Sequence, residues 1–366
     1  MEGMPSYAVG LMGFLIGAIL GYAIRRAKLC TFAAIEDATI GGDTRRIKVF
    51  ALALAIAMIG TQALVVTGQI DPAATPYVPA SFPWLSAALG GLLFGLGMAL
   101  VGTCAFGSLV RLGGGDLRSL VVLMVFGLVA YATIRGVIAS LRIDVIDRAA
   151  VPLPGVRQGD LPSALGLLFP FDARLVLSVA AGGALLAWAL ADRRLWRPRR
   201  LIAAGMVLGL SIVAGWLATG VLPDPLDTNV RPQSLNFVAP VGRTIYGALL
   251  GQVGMADFGV AAVLGVVVGA AAAARGADEF RWEAFDDHRE MRRHLLGAAF
   301  MGLGGVLAGG CTIGQGLTAA SLFATGAPVA VAGMVLGARA GIHFLVGGSA
   351  GSALLNAMRP ARPGDR

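Results

Sequence analysis

Nine stretches of about twenty mostly apolar residues punctuate this chain, near 7–24, 48–68, 84–104, 119–139, 174–191, 201–221, 257–274, 295–312 and 328–347. A helix of about that length spans the hydrocarbon core of a bilayer. Composition points the same way. Of 366 residues 57% are apolar and 14% charged, with mean hydropathy +0.77. An ordinary soluble domain carries about 25% charged residues. So few charges cannot coat a soluble surface of this size, so the excess apolar surface faces lipid. The expected fold is an all-α integral membrane protein with about nine transmembrane helices plus re-entrant or half helices. The first run lacks a charged leading segment and is read as part of the fold rather than as a cleaved signal peptide.

A formal net charge of +8 would suit nucleic acid if it formed one patch. It does not. Lys and Arg fall in short clusters between apolar runs: Arg25-Arg26-Lys28, Arg45-Arg46-Lys48, Arg193 to Arg200, and Arg289 to Arg293. Such clusters orient helices by the positive-inside rule. Residues 25–48 hold six Lys/Arg and 69–83 hold none. This alternation places the N-terminus outside and the C-terminus in the cytoplasm. One linker breaks the pattern: 140–173 carries Arg142, Arg148 and Arg157, with Arg174 just beyond, offset by Asp144, Asp147, Asp160 and Asp172. Its prolines suggest an ordered surface loop.

The chain also matches itself at an offset of 207. Residues 95–107 read GLGMALVGTCAFG and residues 302–314 read GLGGVLAGGCTIG, which aligns Cys104 with Cys311. At an offset of 206, Arg25 and Leu29-Cys30 fall on Arg231 and Leu235-Asn236, so Asn236 stands where a fourth cysteine would be. In this scheme spans 1–4 return as spans 6–9 with opposite direction, and span 5 connects them. Inverted repeats of this kind are a common plan of secondary transporters. The expected organisation is a first repeat over 1–140, an external loop and connector helix over 141–200, a second repeat over 201–350, and a cytoplasmic tail over 351–366.

Glycine is dense around Cys104 and Cys311, at Gly102, Gly107, Gly309, Gly310, Gly314 and Gly316. Each glycine inside a helix costs roughly 0.5–1 kcal/mol. These segments are therefore expected to be helix ends and re-entrant loops, which membrane depth tolerates only beside protein or a polar cavity. Exposed N–H groups at a helix start also receive an anion without any fixed positive charge. Cys30 lies in a nine-residue apolar stretch, 27–35, too short to span and read as a half-membrane hairpin or interfacial helix. Each cysteine has a hydroxyl neighbour: Thr31, Thr103 and Thr312.

A buried cysteine is ordinarily a small inert hydrophobe. Three of them in broken, glycine-rich segments, two related by the repeat, argue for a shared task. No CxxC or CxxH spacing favours a metal, and three scattered cysteines do not form a disulfide framework. The other polar residues read more plainly. His288 and His294 are expected to be solvated in a charged loop, and His343 to be packed. Arg135 and Arg339 are expected to snorkel to the boundary. Arg243 and Asp257 are candidates to line an entrance, and Glu36 and Asp37 to gate or cap the Cys30 segment. Nucleotide-loop, metalloprotease and serine-elbow signatures are missing from the sequence.

The Cys-Thr-Phe after a basic pair, the Gly-Thr-Cys-Ala-Phe-Gly and the Gly-Gly-Cys-Thr-Ile-Gly-Gln-Gly resemble the YeeE/YedE family of sulfur transporters. The motifs lie at 30, 104 and 311, so the resemblance covers nearly the whole chain. It implies a bacterial inner-membrane protein that takes up thiosulfate, with Cys30, Cys104 and Cys311 as its functional cysteines and no cofactor. Some relatives are tied to selenium metabolism instead. A small TusA-like sulfur carrier in the cytoplasm is an implied partner, as a separate chain. The expected substrate-binding set is Cys30, Thr31, Gly102, Thr103, Cys104, Asn236, Gly310, Cys311 and Thr312. A thiosulfate ion would pass between the thiols without a covalent bond. The alternatives are a transporter of a selenium compound and a membrane sulfurtransferase that forms a persulfide on one cysteine.

Overall fold

The computed structural model describes residues 6–152, 159–166, 173–223, 231–251 and 257–347. The chain opens with α1 (Ser6–Ala27), α2 (Thr31–Glu36) and α3 (Arg45–Val66), then α4 (Trp84–Val101), α5 (Ala105–Gly113) and α6 (Leu117–Arg135). Two short helices, α7 (Val137–Leu141) and α8 (Leu161–Gly166), lead to α9 (Ala173–Leu190). The remainder is α10 (Arg199–Gly220), α11 (Val238–Leu249), α12 (Phe258–Arg275), α13 (His288–Leu307) and α14 (Gly326–Gly347). A single antiparallel pair, β1 (Ser81–Phe82) and β2 (Val151–Pro152), is the sheet content among the described residues.

This is an all-α multi-pass membrane protein. Seven of its helical stretches are long and apolar enough to cross a bilayer, the longest running from Trp84 through the bend at Gly102 to Gly113. All nine apolar runs of the sequence fall on long helices. The two outside the seven have clear reasons. The apolar part of α9 is a shorter stretch, Arg174–Leu190, and α13 opens with charged turns that include Arg289, Arg292 and Arg293. The tail 351–366 and Arg157 lie outside the described residues.

In order, α1 to α6 run long, short, long, long, short, long. The same order returns from α10 to α14, with a wide helical turn, Gly314–Ala319, in the place of the second short helix. α1 packs on α12, α3 on α10, α4 on α14 and α6 on α13, while α4 also crosses α13 and α1 crosses α10. α9 lies against α3. Lipid offers no hydrophobic drive for helices to associate, so close van der Waals packing must hold them. Glycine supplies the closeness. A Cβ on Gly13, Gly17 or Gly21 of α1 would overlap the carbonyl oxygens of Phe258, Ala262 or Val266 of α12.

After α6, the β1–β2 pair and one buried ion pair tie described residues together. Asp160 is fully buried and takes an ion pair from Arg174 at 2.5 Å.

Replacing Gly17 by Leu inserts a side chain where two backbones touch. Overpacking of this kind costs about 1–3 kcal/mol. A lowered thermal unfolding midpoint in detergent is the expected result. Gly183 of α9, whose Cβ position meets open space, is the control: Gly183→Ala is expected to leave the midpoint in place or raise it.

Candidate functional site

Each cysteine motif is built from a helix that stops, a short non-helical link and a helix that starts. α4 ends at Val101 because Gly102 turns left-handed, at φ +76, and donates its N–H to Met98 O at 2.8 Å. Two residues on, Cys104 is extended and heads α5, and its Sγ accepts from the Gly107 N–H at 3.4 Å. α13 ends in the same manner. Gly309 is left-handed at φ +74, Gly310 N–H reaches Gly305 O at 2.8 Å, and Cys311 Sγ accepts from the Gly314 N–H at 3.4 Å. Cys30 follows Lys28, itself at φ +51, and heads α2 from an extended conformation. Its side chain accepts no N–H of α2, whereas Asn236, two residues ahead of α11, accepts the Val238 N–H on its Oδ1 at 3.1 Å.

These four helix starts, far apart in sequence, meet. Cys30 Sγ lies 3.6 Å from Thr103 Oγ1, the neighbour of Cys104. The Thr312 hydroxyl, beside Cys311, donates to Thr31 Oγ1 at 3.4 Å, and Thr31 follows Cys30. Thr312 also faces Cys104. Asn236 presses on the Cys311 motif so closely that a Cβ on Gly314 would lie 2.9 Å from its Oδ1. All nine residues expected from the sequence thus fall in one neighbourhood. Cys104 and Cys311 are buried, whereas Cys30 and Asn236 are half-buried.

Two cavities approach this neighbourhood from opposite ends. α4 and α13 are antiparallel: Gly90 sits against Leu307 and Ala308, and Gly97 against Gly297 and Met301. Where α4 begins and α13 ends, a cavity of about 190 Å³ is lined by Tyr77, Ser86, Ala87, Gly309 and Gln315. Where α4 ends and α13 begins, one of about 290 Å³ is lined by Gly102, Thr103, Arg111, Arg118, Arg293 and His294. The smaller cavity carries one ion pair, Arg142 with Asp147, and the larger one several charges of both signs. Arg118 is neutralised by Asp116, Glu283 and Glu290, while Arg111 donates to the Gly102 carbonyl at 2.9 Å.

Several residues here were not evident from sequence. Tyr77 comes from the linker between α3 and α4, yet it is buried, donates to Ser234 O at 3.2 Å and reaches Asn236. Gln315 lies inside the Cys311 motif and is buried at the rim of the smaller cavity. Phe106 and Phe237 pack with ring centroids 4.9 Å apart, joining the Cys104 motif to the Asn236 segment.

Other expectations change. His294 is not solvated: it is buried on α13, edge-on to Phe285 at 5.4 Å, with Nδ1 2.9 Å from Glu290 O. Its place one turn into the helix turns it inward. His288, by contrast, is exposed as expected, with Nδ1 2.9 Å from Asp287, and His343 is half-buried. Arg243 and Asp257 form an ion pair at 3.2 Å, and Asp257 caps α12 through the Gly259 and Val260 N–H groups. Asp37 holds Arg46 at 2.8 Å, and Glu36 lines the larger of the two cavities. Among the described residues no group of three or more His, Cys, Asp or Glu is placed to hold a metal ion.

A family model described as sulphur transport matches residues 26–340. The chain is 26% identical to the thiosulfate transporter TsuA of Escherichia coli over 345 residues, covering 90% of this chain and 93% of that protein. It is also 26% identical to the thiosulfate transporter TsuA of Spirochaeta thermophila over 314 residues, 84% of this chain and 90% of the relative. A shorter match, 33% over 100 residues, covers 27% of this chain and 23% of the probable transporter YedE of Escherichia coli. With the family match running through all three cysteine motifs, the chain belongs to the sulphur transport family, the YeeE/YedE proteins.

Proposed function

We propose that this transporter imports thiosulfate across the bacterial inner membrane along a path marked by Cys30, Cys104 and Cys311. The observation that carries the reading is the meeting of four helix starts, three headed by a thiol, between two cavities at opposite ends of the α4–α13 pair. Near-full-length relatives named as thiosulfate transporters support the choice of ion.

The chemistry suits a dianion with one soft sulfur end and three hard oxygens. Thiol S–H groups are weak donors for the sulfur end. Threonine hydroxyls and N–H groups at helix starts receive the oxygens. The Cys104 and Cys311 sulfurs already accept an N–H, which leaves each S–H proton to donate elsewhere. A cation fixed beside the thiols would bind the dianion too firmly, whereas several weak sites favour passage. The ion moves from one thiol to the next without a covalent bond.

The pattern of helix contacts supports an inverted two-fold plan. α1 on α12 is matched by α10 on α3, and α4 on α14 by α13 on α6. Orientation follows the positive-inside rule, with the Arg25–Lys48 end, and so the charged cavity, toward the cytoplasm. There a separate TusA-like carrier takes up the sulfur.

Two outcomes test the path. Losing one hydrogen bond of about 0.5–1.5 kcal/mol at a waypoint slows passage about two- to tenfold. Cys30→Ala, Cys104→Ala and Cys311→Ala are each expected to reduce uptake of labelled thiosulfate into proteoliposomes by that much or more. Wild-type rates in all three variants would sink the relay, and a slow persulfide adduct seen by mass spectrometry would replace it with covalent transfer. Asn236→Ala removes the α11 cap at a cost of about 1 kcal/mol. Reduced uptake is expected, with Asn236→Ser, which can still cap, lying between wild type and Asn236→Ala.

A further inference from the structure

A further cavity, of about 500 Å³, lies between α2, α3, α9 and α14. Its walls are apolar, with Ala34, Phe50, Leu54, Leu185 and Val335 among them. Its inner side is formed by Thr31 and Thr312, the hydroxyl pair that links the Cys30 and Cys311 motifs. At its mouth Trp188 is exposed, and beside it Lys48 Nζ sits 5.7 Å from the Trp188 ring and 2.6 Å from Asp192. Arg339 is the charged side chain in its wall among the described residues.

The physics of the site selects its occupant. α3 and α14 are both long and apolar enough to cross the bilayer, so the cavity they wall lies at membrane depth. Water gains little there, since apolar cavities stay dry without several polar partners. An empty void would forfeit dispersion contacts along every wall. The bilayer itself offers acyl chains of matching polarity. Trp and Lys favour the lipid–water boundary, which puts the Trp188 and Lys48 rim just beneath the headgroups. Arg339 supplies charge complementary to a phosphate, while Lys48 is paired with Asp192.

We propose that one acyl chain of a membrane phospholipid occupies this cavity, with its phosphate drawn to Arg339, and braces α2 so that Thr31 stays against Thr312. α2 needs the support. It has six residues, of which Phe32, Ala34 and Ile35 are buried, and a helix that short does not hold itself. Ala34 and Ile35 line the cavity, so a seated chain packs directly on the helix that carries Cys30 at its head.

Native mass spectrometry of the full protein released from nanodiscs of defined phospholipid tests the site. Wild type is expected to retain one phospholipid. Val335→Trp and Ala38→Trp, at half-buried wall positions, fill the cavity and are expected to lose it while unfolding at the wild-type temperature. Retention by both filled variants, or no lipid on wild type, overturns the site. Two variants on different elements guard against one failing to fold. The link to α2 is read from Cys30 itself, which is half-buried while Cys104 and Cys311 are buried. Stripping lipid from wild type is expected to speed maleimide labelling of Cys30 several-fold, and added phospholipid to reverse it. An unchanged rate overturns the bracing. Neither readout involves transport, so the substrate assignment stands or falls separately.

Discussion

At membrane depth every backbone N–H and C=O must find a partner inside the protein, and this requirement governs the structure. A plain helix meets it without help. This chain breaks its helices at Gly102 and Gly309 and runs extended through Leu235, so side chains must cover the exposed groups. Arg111 covers the Gly102 carbonyl, Ser86 that of Leu307, Thr318 that of Leu235 and Tyr77 that of Ser234. Gln62 reaches the carbonyl of Ser321. The thiols of Cys104 and Cys311 and the amide of Asn236 cover N–H groups at the helix starts. Buried polar side chains in this protein are therefore first of all the means by which a non-helical segment survives in lipid. A path exists because those segments exist.

The same requirement explains what could be read from the sequence. Runs of apolar residues long enough to span are a one-dimensional signal, and α1, α3, α4, α6, α10, α12 and α14 follow it. The cysteine motifs were legible because glycine and cysteine together mark a stop, a left-handed residue and a restart within a few positions. Asn236 was found by the offset alone and proves to cap as the thiols do. Tyr77 was not legible, because nothing local in a proline-rich linker says that its ring turns inward onto Trp216, with centroids 5.8 Å apart. His294 was misread for a related reason. Its neighbours Arg292 and Arg293 gave the segment a solvated look, whereas the helical turn puts His294 against Phe285. Arg243 and Asp257 drew notice as charges, but their pairing satisfies one helix start rather than an entrance.

The two end cavities show where chemistry departs from scaffold. Gly309 and Gly326 of the smaller cavity map, at the 207-residue offset, onto Gly102 and Ser119 of the larger one. Ala87 and Ser86 map onto His294 and Arg293. Backbone stops and small residues coincide at the two ends while the charges do not. Close packing explains the first: a glycine between touching helices or at φ near +75 has no substitute, so geometry is held at both ends. Charge is under no such constraint, because a cavity wall accepts any side chain that water or a partner can satisfy. The smaller cavity holds Tyr77, Gln315, backbone and the ion pair of Arg142 with Asp147, and the larger one sets Arg111, Arg118 and Arg293 beside Glu36, Asp116 and Glu290. Between them lie thiols and hydroxyls. On the proposed path a dianion would leave one end through thiols and hydroxyls for the other, and at both ends the arginines stand beside carboxylates, so neither end would hold it as a bare cluster of cations does.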